Sequence, residues 1–164
     1  MIGRLWRWLV STGFRLLYNE LAWTYDAVSW LVSRGEWRKW QMSALPFVDG
    51  ACVLEIAHGP GHMLLALAKS GRNVTGLDTS RQMGRIAARR LRHAGEPVAL
   101  VRGVAQSLPF QDHAFDTVYC SFPTSFIADR RTLEAVHRVL RANGRLVIVP
   151  EGHLTGNSIV DRFI

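Results

Sequence analysis

The stretch Val53-Leu54-Glu55-Ile56-Ala57-His58-Gly59-Pro60-Gly61-His62 decides how the rest of the chain is interpreted. With Cys52 it begins as an apolar run rich in β-branched residues, which predicts a buried strand. Small turn residues follow, and good helix formers continue from His62 to Ala68. Strand, glycine turn and helix form the first half of a βαβ unit, with the turn at the carboxyl end of the strand. Such a turn lets a ligand approach the backbone, and free N–H groups at the helix start favour an electron-rich group.

Two kinds of nucleotide site use a turn of this type. The dinucleotide fingerprint G-x-G-x-x-G needs a small third residue, but Leu64 stands there. The run instead resembles E/D-x-G-x-G-x-G, the first motif of class I S-adenosylmethionine-dependent methyltransferases, with alanine replacing the first glycine. The resemblance implies a cofactor contact for the residues of this turn, namely Glu55, Ala57, His58, Gly59 and Gly61.

An acidic residue ends the next predicted strand, Asn73 to Asp78. A carboxylate at this place can accept hydrogen bonds from both hydroxyls of a ribose, and Asp78 lies 19 residues after Gly59, as in nucleotide-binding folds. The alternative is that Asp78 caps the following helix, but Thr79 and Ser80 can do this instead. The run from Thr79 to Met83 resembles the next segment of the family, which implies that Met83 lies against the adenine and that Thr79 adjoins the cofactor.

The run Gly103 to Phe110 is similar to the G-D-A-x-x-L-P-F segment of the family. Val104 stands where the family has the acid that binds the adenine amino group, so Ala105 and Gln106 are left to supply backbone groups. Losing one charge-assisted hydrogen bond, worth about 1.5–3 kcal/mol, predicts cofactor affinity weaker by one to two orders of magnitude.

A fourth strand is predicted at Phe115 to Cys120, and the resemblance places Ser121 and Phe122, which follow it, at the cofactor. Enzymes that methylate amino groups of DNA bases or glutamine carry Asn/Asp-Pro-Pro-Tyr/Phe here. This chain has Ser121-Phe122-Pro123-Thr124, so we do not expect base methylation.

The remaining elements complete the expected sheet. We predict a helix over Arg130 to Leu140 with Leu133, Val136, Val139 and Leu140 inward, a turn at Asn143-Gly144, and a fifth strand from Arg145 to Pro150. The resemblance covers residues 51–150 and implies an α/β fold: a Rossmann-like three-layer sandwich with a mostly parallel sheet of order 3-2-1-4-5. The usual strands six and seven are missing, so we expect the tail, Leu154 to Ile164, or a second copy in a homodimer to cover the fifth-strand edge.

The chain before the sheet is expected to be helical and rich in aromatic residues. We divide it into an N-terminal helical cover, residues 1–49, and a cofactor-binding domain, residues 50–164. All six tryptophans precede residue 41. Residues 1–17 mix them with arginines and form a plausible amphipathic helix, which lies on a membrane, covers a substrate cavity or packs on its own domain. The run Tyr18 to Asp26 is similar to a Tyr-Asp segment of small-molecule methyltransferases, which implies that Tyr25 lies over the cofactor.

Composition sets broad limits on partners and location. The net charge of +7 permits an acidic partner such as nucleic acid or an anionic membrane, and an arginine-rich solvated surface explains it equally well. Cys52 and Cys120 fall in predicted strands and are expected to be free thiols in a reducing compartment. No His/Cys spacing suggests a metal site. We expect a cytoplasmic protein with peripheral membrane contact as an option, a small-molecule substrate and no specific nucleic acid partner.

The expected function is S-adenosylmethionine-dependent methyl transfer to a small-molecule acceptor, with S-adenosylhomocysteine as the product. The enzyme mainly aligns the reactants, and a general base is needed only if the acceptor must lose a proton. Candidates for that base are Tyr25, His58, His62 and His153, although each histidine is also explained as a polar loop or helix-start residue. The alternative is a non-catalytic cofactor-binding or interaction protein, or one that works at a membrane surface through its basic, Trp-rich N-terminus.

Overall fold

A computed structural model of the protein describes residues 25–152, with side chains from residue 28 onward except that of residue 32. Two helices come first, α1 (Tyr25–Ser33) and α2 (Trp37–Met42), followed by a 3₁₀ turn at Leu45–Phe47. The alternating part then contains β1 (Cys52–Ile56), α3 (His62–Lys69), β2 (Asn73–Asp78), α4 (Arg81–His93), β3 (Ala99–Arg102) and β4 (Phe115–Ser121). A second 3₁₀ turn (Ser125–Ala128), α5 (Arg130–Val139) and β5 (Leu140–Val149) complete the described residues.

The five strands form one sheet of order β3-β2-β1-β4-β5, and every pairing is parallel. This confirms the predicted fold class and strand order. The central strand β1 is paired on both sides and its last four residues are buried, which explains why its sequence is a continuous apolar run.

Two apolar layers enclose the sheet. On one face, Leu54 and Ile56 of β1 pack in a cluster with Val136 and Val139 of α5. On the other face, Val53 packs with Met63, Leu64 and Leu67 of α3. Because neighbouring residues of β1 point to opposite faces, one strand contributes to both layers and the sheet becomes the middle of a three-layer sandwich.

The fifth strand begins earlier than predicted. It starts at Leu140, directly after α5, and not at Arg145. Its register against β4 jumps from Phe115↔Leu140 to Thr117↔Arg145, so the residues between form a bulge in which Asn143 has φ 64°. The Asn-Gly pair therefore bends a strand and does not end a helix. The predicted inward position of Leu133 is also wrong: it is 45% exposed, because the buried face of α5 runs through Thr132, Ala135, Val136 and Val139.

Candidate functional site

The turn after β1 consists largely of residues in the left-handed backbone region. Ala57, Gly59 and Gly61 have φ values of 55°, 53° and 79°. The N–H of Ala57 donates to the carbonyl of Leu77 at 2.7 Å, which ties the turn to the end of β2. Since a non-glycine residue costs about 1–2 kcal/mol in this conformation, the turn is held in a strained shape by its neighbours.

The two glycines of the turn meet different surroundings. A Cβ added at Gly59 would find no heavy atom within 4 Å, and Gly59 lines a cavity. A Cβ added at Gly61 would lie 2.8 Å from the Cβ of Ala87 on α4. Gly59 therefore leaves space for a ligand against the backbone, whereas Gly61 allows α4 to pack closely against the turn.

The carboxylate of Asp78 faces the glycine turn from the end of β2. Its Oδ2 accepts the N–H of Gly59 at 2.8 Å, and its Oδ1 accepts the N–H of Ser80 at 2.8 Å. The cap of α4 is Ser80, whose hydroxyl accepts the N–H of Met83 at 3.2 Å. A carboxylate has about four lone-pair positions, so Asp78 keeps roughly two for a ligand in the cavity that it lines.

These groups surround a cavity of about 350 Å³ at the carboxyl ends of the strands. This volume falls in the range of roughly 300–1,000 Å³ that is usual for small-molecule sites. The strand order reverses at β1, so the cavity extends from Asp78 on one side of that strand to Ser121 on the other. Ligands of open α/β sheets bind at this kind of position.

The structure brings most of the predicted site residues to the cavity wall. Those that line it are Ala57, His58, Gly59, Asp78, Thr79, Ala105, Gln106, Ser121 and Phe122. Four others are not in the wall: Gly61 is closed off by Ala87, Met83 is fully buried under α4, Val104 is 48% exposed, and Glu55 lies beneath the turn. Roles in cofactor binding remain predictions for all of these residues.

Several lining residues were not anticipated from the sequence. They are Gln41, Ile56, Pro60, Leu77, Ser80, Gly103, Thr124 and Phe126. Most are next to predicted residues and follow from the same strand ends. Gln41 is different: it comes from α2, and nothing in its sequence neighbourhood indicates a site.

The candidates for a general base are separated by the fold. His58 is 3% exposed, lines the cavity, and its Nδ1 lies 2.7 Å from the carbonyl of Gly59. Burial lowers the pKa of the His58 imidazole below its ordinary value, and the Asp78 carboxylate opposes this only in part. His62 is outside the cavity wall and its Nδ1 is 2.9 Å from the guanidinium of Arg38. Tyr25 begins α1, its side chain is not described, and Tyr18 and His153 lie outside the described residues.

An aromatic cluster forms the wall at the end of β4. Phe122 has φ 48°, an uncommon conformation for a bulky residue. Its N–H donates to the carbonyl of Val149 at 2.7 Å, and its ring lies 4.1 Å from the ring of Trp37 on α2. Strained residues of this kind are concentrated at functional sites, and here the strain directs an aromatic side chain to the cavity.

Beneath the turn lies a buried acid, Glu55, which is 1% exposed. Neither carboxylate oxygen has a hydrogen-bond partner among the described residues. Burial raises the pKa of Glu55 well above its ordinary value, the Asp78 carboxylate raises it further, and the Leu64 N–H at the start of α3 opposes this. Glu55 is therefore a buried acid without a matching cation, which suits a site that receives a positively charged group.

Glu55 makes stability depend on pH. Its pKa is higher in the folded state, so its contribution to stability is fully present below the unfolded pKa of about 4.3 and is lost as pH rises above that value. We expect the free energy of unfolding to fall relative to Glu55→Gln by up to about 1.4 kcal/mol per pH unit in this range. Urea unfolding from pH 4 to pH 8 measures it. Glu134→Gln, a change at a side chain that is 59% exposed, is the control, and equal pH profiles for Glu55→Gln and the wild type would contradict the assignment.

Comparisons with known sequences agree with this geometry. The profile of a family described as methyltransferase domain matches residues 53–144. The demethylmenaquinone methyltransferase of Clavibacter sepedonicus is 36% identical over 137 residues, which are 80% of this chain and 55% of that enzyme. The chain thus spans little more than half the length of this relative.

Solved structures show the same fold. The YcgJ protein from Bacillus subtilis matches with a TM-score of 0.62 and 28% identity, over 67% of this chain and 49% of that one. Phosphoethanolamine N-methyltransferase 1 of Haemonchus contortus, solved in complex with phosphoethanolamine and S-adenosylhomocysteine, matches with a TM-score of 0.58 and 23% identity, over 66% and 24% of the two chains. The second likeness concerns the fold alone. Within residues 25–152, no helix has the length and apolar character needed to cross a bilayer.

Proposed function

The chain belongs to the class I S-adenosylmethionine-dependent methyltransferases, and from this premise we propose that it binds S-adenosylmethionine in the cavity and methylates a small aromatic acceptor. The observation that carries the proposal is the pairing of Asp78 with the open backbone at Gly59. One residue offers acceptors for ribose hydroxyls, and the other leaves room for the ligand against the main chain. When bound, the cofactor supplies a methyl group activated by a positively charged sulfur.

The unpartnered groups of the structure fit this cofactor. Glu55 is a buried acid that lacks a cation, and the cofactor carries positive charge. On this proposal Asp78 holds the sugar, and the backbone around Ala105 and Gln106 adjoins the base. The protein contributes mainly by orienting two molecules and keeping water away, which can supply several kcal/mol of the barrier reduction.

The acceptor is proposed from the cavity wall. Phe122 and Phe126 line it, and the ring of Trp37 supports Phe122 from behind. Such a wall suits a planar apolar molecule. The name of the Clavibacter relative, demethylmenaquinone methyltransferase, supports a quinone-type ring as the acceptor.

Calorimetry with S-adenosylmethionine and S-adenosylhomocysteine tests the cofactor. Binding in the micromolar range is the expected result, and mass spectrometry should then detect a methylated product with 1,4-dihydroxynaphthalene as the probe acceptor. Millimolar or absent binding would favour the alternative, a non-catalytic member of the family. Val104 favours that alternative, because it replaces an acid of the family pattern and stands outside the cavity wall.

Location and assembly also belong to this proposal. We place the protein in the cytoplasm, with peripheral membrane contact through residues 1–17, which lie outside the described residues. Vesicle sedimentation with and without those residues measures this contact. We further propose a homodimer that covers β5, since no other described strand pairs with its outer edge and Ile148 on it is 37% exposed. Light scattering should give twice the chain mass, and Ile148→Lys should reduce it.

A further inference from the structure

We propose that Gln41, on α2, is a cofactor-contacting residue that accepts a hydrogen bond from the ammonium group at the amino-acid end of the cofactor. The inference rests on the proposed function and adds a residue that the sequence pattern of the sheet does not contain. It starts from the position of Gln41, which is 7% exposed, lines the cavity and belongs to a helix preceding the sheet.

Gln41 is attached to the end of β4 by two hydrogen bonds. Its Nε2 donates to the hydroxyl of Ser121 at 2.9 Å, and the phenol of Tyr119 donates to its backbone carbonyl at 3.3 Å. These contacts join residues about 80 positions apart in the chain and fix the side chain at the cavity. The amide oxygen Oε1 is then left buried without a partner among the described residues.

The same region contains further acceptors without donors. Glu55 lies beside Tyr119 in the register of β1 and β4, and both oxygens of its carboxylate also lack a described partner. The Glu55 charge contributes to a raised pKa of the Tyr119 phenol, which shows that the two groups are close. Arg38, the nearby cation of α2, directs its guanidinium to His62 instead. The buried acceptors therefore require a donor with positive charge from a bound molecule.

The strand order indicates which end of the cofactor this is. Asp78 ends β2 on one side of β1, whereas Ser121 and Gln41 lie at β4 on the other side. With the ribose at Asp78, the amino-acid end extends past Gly59 toward Gln41. The terminal amide torsion of glutamine is soft, so a small rotation turns Oε1 from its buried position to the cavity.

Two nucleosides separate this contact from general effects on the pocket. S-Adenosylhomocysteine has the ammonium group, and 5′-methylthioadenosine lacks the whole amino-acid end. We expect Gln41→Leu to weaken S-adenosylhomocysteine binding about tenfold in calorimetry, as for one hydrogen bond to a charged group, and to leave 5′-methylthioadenosine within twofold. Gln41→Glu retains an acceptor and should restore S-adenosylhomocysteine affinity to within threefold of the wild type.

The controls assign each result to one cause. Gln111→Leu makes the same change at an exposed glutamine outside the cavity and should leave both affinities unchanged. Equal losses for both nucleosides in Gln41→Leu would show that Gln41 only shapes the cavity, and no loss for either would show that the ligand does not reach it. Both results overturn the inference alone. A wild-type protein that binds neither nucleoside overturns the proposed function itself.

Discussion

Asp78→Ala is expected to lower the affinity for S-adenosylhomocysteine by at least about a hundredfold. The carboxylate keeps roughly two acceptor positions toward the cavity, and each hydrogen bond to a charged group contributes about 1.5–3 kcal/mol. Two such bonds amount to about 3–6 kcal/mol, or roughly 10²–10⁴ in the dissociation constant. Calorimetric titration of the variant measures the loss.

Part of this effect comes from the protein itself, because Asp78 also accepts the N–H groups of Gly59 and Ser80. Asp78→Asn separates the two contributions: it keeps the shape and one acceptor oxygen but loses the charge, so its affinity should be intermediate. Asp112→Ala removes a carboxylate whose side chain is 63% exposed and should bind like the wild type. Unchanged affinity in Asp78→Ala would place the nucleoside elsewhere and remove the basis of the proposed function.

The features that could be predicted from the sequence are local ones. The bounds of β1 and β2 and the start of α3 follow from runs of apolar residues that end at a glycine or an acid. The position of Asp78 opposite the turn follows because parallel neighbours end at the same edge of a sheet. Strand order required the family resemblance, since short apolar strands do not specify their own neighbours.

The features that could not be predicted depend on contacts between distant residues. Gln41 reaches the site through Ser121, and the positive φ of Phe122 depends on packing against Trp37. The start of β5 was wrong because an Asn-Gly pair is compatible with both a helix end and a strand bulge. In each case the deciding partner lies outside the local window, so tertiary contacts determine the conformation.

The largest expected effect on stability is that of Gly61→Ala. Gly61 has φ 79°, which costs an alanine about 1–2 kcal/mol. The new methyl group would also lie 2.8 Å from Cβ and 3.2 Å from Cα of Ala87, and a backbone atom cannot move aside like the end of a flexible side chain. Overpacking in a fixed interior costs about 1–3 kcal/mol, so urea unfolding should show a loss of about 2–5 kcal/mol in total.

A double-mutant cycle with Ala87→Gly tests whether the contact between the turn and α4 causes this loss. Removing the Ala87 methyl group relieves the steric part and leaves the conformational part, so the double variant should be more stable than the sum of the single effects by about 1 kcal/mol or more. Gly59→Ala is the matched control, because its methyl group meets no heavy atom within 4 Å and only the strain of positive φ remains. If the two Gly61 and Ala87 effects simply add, the spacing of α4 from the turn does not depend on Gly61. If they couple while Gly59→Ala stays folded but binds S-adenosylhomocysteine less well, one glycine of the motif serves packing and the other serves the ligand.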